Sequence, residues 1–341
     1  MSNSPYYQYN PYNVPPPYVL AQGEKRELRR TSNMLCWTLL IAMFLMTAFS
    51  AYICPLYLKA VGYTGDYSVQ GFGGFTPVLY YLATGLGYVA GLAVPALLYF
   101  AIRRISLSDI LPFEKAGVVK TAACVFFGSA VCMLANIPAN AVVNIETRFG
   151  FSGNMPDMPL TNDAWVLVLY GITIAIIPPI VEELLFRGMI LQSLRKYGDG
   201  FAVVASAMLF GLYHGNFVQI VFAFIAGLVM AHVVVRTGSL WTSILIHFIN
   251  NGVSFALEMV KRFAGDDVTN MVNNIVVACL LALGFISFIY LLMKDKHFFK
   301  GDSFNPFFKF SSKIGAVFAN PGGVAVILFS AVTSIYILTN Y

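Results

Sequence analysis

Two adjacent glutamates with an arginine four residues on, Glu182, Glu183 and Arg187 in PPIVEELLFRGMI, follow a run apolar enough to lie in a membrane. On a helix Glu183 and Arg187 meet on one face in the favourable acid-before-base order. Glu182 is rotated by about 100° from its neighbour, so both carboxylates cannot serve the arginine equally. Pro178 and Pro179 remove two backbone donors just before them and should kink the helix or open its wall. Two more polar patterns lie further on: FGLYH, with Phe210 and His214 four apart, and HFINN, with His247 and Asn251 four apart. Taken singly, each reads as well as an interfacial ion pair, a structural histidine or a polar bond between helices. Together they supply more. A carboxylate with an imidazole can activate water, and a further imidazole and a carboxamide can donate hydrogen bonds to a developing oxyanion. Those are the parts of a hydrolase.

The elements that must position these residues are membrane helices. Of the 341 residues 58% are hydrophobic and 11% charged, against roughly 25% charged in soluble domains, which excludes a water-soluble globule. The fold class expected is all-α, a polytopic transmembrane bundle of about nine spans, near 34–57, 76–101, 119–143, 164–181, 201–215, 217–235, 239–259, 271–293 and 322–340. With the N-terminus cytoplasmic, 17 of the 21 Lys and Arg residues fall on the cytoplasmic side and 4 opposite. The organisation expected is a disordered Tyr/Pro/Asn-rich tail over 1–33, N-terminal spans over 34–163, a core over 164–259 and C-terminal spans over 260–341. The polar stretch before the first apolar block is too long for a signal peptide. The five cysteines have no CxxC or metal-ligand spacing and read as small packing residues. His232 and His297 read as interfacial, and HFFKGDSFNPFFKF as a loop along the headgroups.

In order, EELLFR, FGLYH and HFINN resemble the EExxxR, FxxxH and HxxxN motifs of the CAAX-protease and bacteriocin-processing (Abi) family of intramembrane endopeptidases. All three match at their defining positions, over roughly residues 164–259. The resemblance implies that Glu182 activates water with His214 as its partner, and that His247 and Asn251 stabilise the oxyanion of the scissile carbonyl. Glu183, Arg187 and Phe210 then support the site. No cofactor is expected. A two-His, one-carboxylate zinc site from Glu182, His214 and His247 stays open as the alternative, although there is no HExxH. The partners expected are the bilayer and a peptide or membrane-protein substrate, with no nucleic acid, in the plasma membrane of a bacterium. Peptide or bacteriocin maturation or self-immunity is the expected role. A non-catalytic immunity or scaffold protein of the same fold is the alternative, and a transporter is disfavoured because no inverted repeat is visible.

One constraint follows from depth. If span four ended at 181, Glu182 would lie at one membrane face and His214 near the other, about 30 Å away. Shared chemistry therefore predicts that helix four continues through EELLFRGMILQSL, which stays largely apolar.

Overall fold

The computed structural model describes residues 17–62, 75–151, 158–300 and 308–340. Among them the regular structure is helical, with a single isolated bridge between Phe113 and Ser239. The helices are α1 (Pro17–Ala48), α2 (Cys54–Ala60), α3 (Pro77–Arg103), α4 (Leu107–Ile110), α5 (Val118–Arg148), α6 (Ala164–Gly171), α7 (Ile177–Glu183), α8 (Leu191–Arg195), α9 (Asp199–Tyr213), α10 (Phe217–Thr237), α11 (Leu240–Lys294), α12 (Phe310–Phe318) and α13 (Pro321–Asn340). Among the described residues seven helical runs are long and apolar enough to cross a bilayer, and Asp199–Tyr213 is a shorter apolar helix beside them. The protein is a multi-pass membrane protein with an all-α bundle.

Helix four does continue. α6, α7 and α8 are joined by π-helical turns at Ile172–Ile176 and Leu184–Ile190 into one run, Ala164–Arg195, past the boundary expected at 181. Proline explains the first turn: the i→i+4 and i→i+5 donors to the Ile174 carbonyl would be Pro178 and Pro179, which have no N–H. The helix ends in a tight reversal. Arg195 Nε donates to Asp199 Oδ1 at 2.7 Å, so α9 runs back along α8. At 1.5 Å per residue, Glu182 lies about 20 Å back from Arg195 and His214 about 22 Å beyond Asp199. The two therefore reach a common depth. Gly215, in the left-handed region at φ +56, makes the next turn, and Asn216 caps α10 by accepting from the Gln219 N–H at 3.1 Å.

The expected spans 239–259 and 271–293 are halves of one run, α11, broken at Gly265 (φ 82, ψ 175). Ile246 in the first half packs on Gly128, and Gly284 in the second packs on Ala130. Both halves thus lie along α5, and the chain reverses at Gly265, where a glycine can take that backbone without strain. The far end is fastened by Lys120, which donates to Asp295 at 3.0 Å.

Two further expectations change. Residues 17–33, expected to be unstructured with the rest of the tail, form the first half of α1. AQGEKRELRRTSN is rich in good helix formers, and Leu28, Thr31 and Ser32 are buried. Arg29 donates to the Ala319 carbonyl and Asn33 accepts from the Gly322 N–H, so this half docks against the C-terminal helices. Residues 1–16, the Pro-rich part, lie outside the described residues. In the expected headgroup loop, Phe298 and Phe308 are buried in the protein core, because His232, Phe127 and Phe299 offer ring faces to Phe298. Residues 301–307 of that loop lie outside the described residues, while His297 is exposed.

A Cβ on Gly284 would stand 2.1 Å from Ala130 Cβ and 3.0 Å from the Phe126 carbonyl. Gly284→Ala should therefore cost about 1–3 kcal/mol through overpacking, read as a lower thermal midpoint in detergent. The hydrogen bond from Lys120 holds the Asp295 carboxyl below its usual range. A depressed carboxyl contributes stability that is fully present above its unfolded value, about 3.9, and is lost as pH falls through its folded value. Asp295→Asn should lower the midpoint near pH 7 by an amount worth at most about 1 kcal/mol, and the difference from wild type should fade below about pH 4.

Candidate active site

The site starts from a charge that has no water. Arg187 and Glu183 have 0% side-chain exposure, and Arg187 Nη1 donates to Glu183 Oε1 at 2.7 Å. The pairing is the i, i+4 geometry read from the sequence. Two other helices hold the guanidinium, and a third holds its carboxylate partner. Gly227 of α10 accepts from Nη2 at 3.4 Å. The Phe210 ring of α9 lies beneath the guanidinium carbon, 4.3 Å from centroid to Cζ. His247 of α11 donates from Nδ1 to the same Glu183 Oε1 at 3.0 Å. Glu183 is thus bound twice through one oxygen, by a cation on its own helix and an imidazole from across the bundle.

That bond sets the other face of His247. With Nδ1–H given to Glu183, Nε2 points to Glu182 and stands 3.8 Å from its Oε2. Glu182 is 2% exposed. Its Oε1 accepts a hydrogen bond from the Tyr88 hydroxyl, whose own oxygen lies 3.0 Å from the Tyr213 hydroxyl. Its Oε2 has no hydrogen-bond partner within the protein. Each glutamate keeps one oxygen without a hydrogen bond, but they differ in charge: Glu183 is paired with the buried Arg187, and Glu182 has a phenol and an imidazole beside it instead.

His214 ends α9 half-buried. Its Nδ1 donates to the Phe210 carbonyl at 2.8 Å, which leaves Nε2 as the nitrogen able to accept or deliver a proton. The Phe210 ring stands perpendicular to His214 (4.9 Å, 89°) and near-perpendicular to His247 (6.0 Å, 80°). Glu182, Glu183, Arg187, Phe210, His214 and His247 are all brought together.

Asn251 is held elsewhere. Its Nδ2 donates to the Ile174 carbonyl at 2.8 Å, the acceptor that Pro178 and Pro179 leave without a helical donor. Asn250 in turn donates to Asn251 Oδ1 at 3.2 Å. One turn beyond His247, Asn251 pins α11 to the break in helix four with one amide hydrogen and keeps the second. Among the described residues no group of three or more His, Cys, Asp or Glu side chains has the geometry to hold a metal ion. Glu183, the other carboxylate near His247, is already neutralised by Arg187.

Tyr88 and Tyr213 were not legible as site residues. Tyr88 is the polar member of GLGYVAG in an otherwise apolar span, and Tyr213 sits inside FGLYH. A phenol at mid-span with small residues around it is a signal for close helix packing, but it does not name the partner.

Comparison with known proteins follows these residues. Residues 164–253 match the family described as "Type II CAAX prenyl endopeptidase Rce1-like". The chain is also 30% identical over 100 residues to "Putative membrane peptidase YdiL" of Bacillus subtilis (strain 168), a similarity covering 28% of this chain. It spans 41% of that relative's own length. No solved structure matches.

Removing one partner of a buried ion pair leaves an unpaired charge and costs about 3–5 kcal/mol. Arg187→Ala should therefore lower folded yield and the thermal midpoint sharply. Arg187→Ala combined with Glu183→Gln should recover part of that loss, as read by a double-mutant cycle on thermal unfolding in detergent.

Proposed function

We propose that this chain, whose core at residues 164–253 is of the CAAX-protease and bacteriocin-processing family, is an intramembrane endopeptidase that uses Glu182-activated water. The observation that carries the reading is the inequality of the two glutamates. Glu183 carries the Arg187 counter-cation, while Glu182 is bonded to no Lys or Arg and has its free Oε2 beside the His247 imidazole. A carboxylate oxygen so placed is a general base.

Water gives a proton to Glu182 Oε2 and its oxygen attacks the scissile carbonyl carbon. The oxyanion that forms takes hydrogen bonds from His247 Nε2, when that nitrogen is protonated, and from the second amide hydrogen of Asn251. When the C–N bond breaks, the leaving nitrogen takes back the proton from Glu182 by way of His214 Nε2. No metal is required, since the base, the proton carrier and the oxyanion donors are side chains. The burial of the site inside an apolar bundle supports a substrate that enters from the membrane, a peptide or membrane protein cut near the bilayer surface. The Lys and Arg asymmetry supports a cytoplasmic N-terminus. Together with the likeness to a Bacillus subtilis protein, it fits a bacterial plasma membrane and a role in peptide or bacteriocin maturation or immunity.

The test is cleavage of a quenched peptide library by the purified protein in detergent. Glu182→Ala and His214→Ala should each lower cleavage by about 10²-fold or more, and a chelator should leave wild-type cleavage intact. Loss of cleavage to the chelator would replace the metal-free mechanism with a zinc site. Cells in which Glu182→Ala supplies the full biological activity would make the non-catalytic immunity or scaffold role the correct one.

A further inference from the structure

We infer that Tyr88, on a helix outside the family-matching segment, is a positioning residue that fixes which oxygen of Glu182 acts as the base; this rests on the hydrolytic reading above. A carboxylate on a helix can turn about its last bond and present either oxygen, or both, to a reactant. Here the choice is removed. The Tyr88 hydroxyl donates to Oε1, and Oε2 is the oxygen that faces His247 Nε2.

Tyr88 reaches Glu182 because α3 can approach helix four unusually closely. One turn earlier, a Cβ on Gly85 would already lie 3.2 Å from Ile177 Cδ1, so the bare backbone there lets the two helices meet. On the opposite side, Gly91 lies under the Met46 backbone, 2.6 Å from where its Cβ would be, and Gly87 lies under Phe49. α3 is thus clamped between α1 and α7 by glycines on two faces, with Tyr88 between them. The phenol is itself oriented. Tyr213, next to His214, has its hydroxyl 3.0 Å from that of Tyr88 and 3.4 Å from Met46 Sδ. By donating to Tyr88 it occupies a lone pair there and leaves the Tyr88 proton for Glu182. The chain Tyr213 to Tyr88 to Glu182 joins α9, α3 and α7. It places the residue before the proton carrier in register with the base.

The test uses the full-length protein and two readouts. Tyr88→Phe removes only the hydroxyl and keeps the ring that packs. Tyr99→Phe, which removes a hydroxyl bonded to Ser193 on the same helix pair, is the control. The first readout is infrared absorption of the Glu182 carboxylate, assigned as the band missing in Glu182→Gln. Tyr88→Phe should shift that band and Tyr99→Phe should not, whether or not a substrate is known. The second is kinetics on any peptide that wild type cleaves. A hydrogen bond to a charged group is worth about 1.5–3 kcal/mol, so kcat should fall by about 10- to 150-fold with KM unchanged. Tyr213→Phe should give a smaller loss in kcat. An unshifted Glu182 band in Tyr88→Phe, or unchanged kcat, overturns the positioning role. A band that shifts as expected in a protein with no peptidase activity upholds the contact and removes the peptidase reading instead.

Discussion

The Glu183–Arg187 pair is the constraint on which the rest depends. An arginine with no exposed surface cannot be tolerated in an apolar bundle unless its charge is matched. Satisfying it recruits Glu183 on its own helix, a carbonyl of α10, a ring of α9 and, through Glu183, an imidazole of α11. Each of these elements also carries or flanks a residue of the proposed chemistry. The ion pair thus fixes the relative rotation of helices whose remaining polar groups would otherwise have no common address.

Backbone defects complete the placement. Pro178 and Pro179 deprive Ile174 of a donor just before Glu182, and the amide of Asn251 supplies one. A residue implied by resemblance to be an oxyanion donor thus also repairs a broken helix. The two uses are compatible, because a carboxamide has two amide hydrogens and the repair needs one. The π-helical turn at Leu184–Ile190 places Arg187 in a stretch where the usual ladder is relaxed, a feature common near functional sites.

Much of this site could be read from the residues, and for physical reasons. Ion pairing at i, i+4 depends only on local helix geometry, so Glu183 and Arg187 were legible, and with them the division between the glutamates. The common depth of Glu182 and His214 followed from requiring shared chemistry across a bilayer of known thickness. What was not legible depends on packing between distant segments. Tyr88 is 94 residues from Glu182, and nothing in its neighbourhood names the carboxylate it meets. Asn251 was read through its neighbour His247, whereas its observed partner is set by two prolines on another helix. Residues 17–33 were grouped with a Pro-rich stretch of different character, although their own Leu28 and their charged residues make a one-sided helix that docks on the bundle. The expected spans 239–259 and 271–293 left a gap of several residues between them, whereas the helix is interrupted only at Gly265.

The central claim is that adjacent glutamates divide the work, one for structure and one for chemistry. Thermal unfolding of Glu182→Gln and Glu183→Gln, measured side by side in the same detergent, tests it most directly. The expected result is a midpoint near wild type for Glu182→Gln, and a large fall for Glu183→Gln, which leaves Arg187 buried without its counter-charge. Equal midpoints, or a greater loss for Glu182→Gln, would contradict the division.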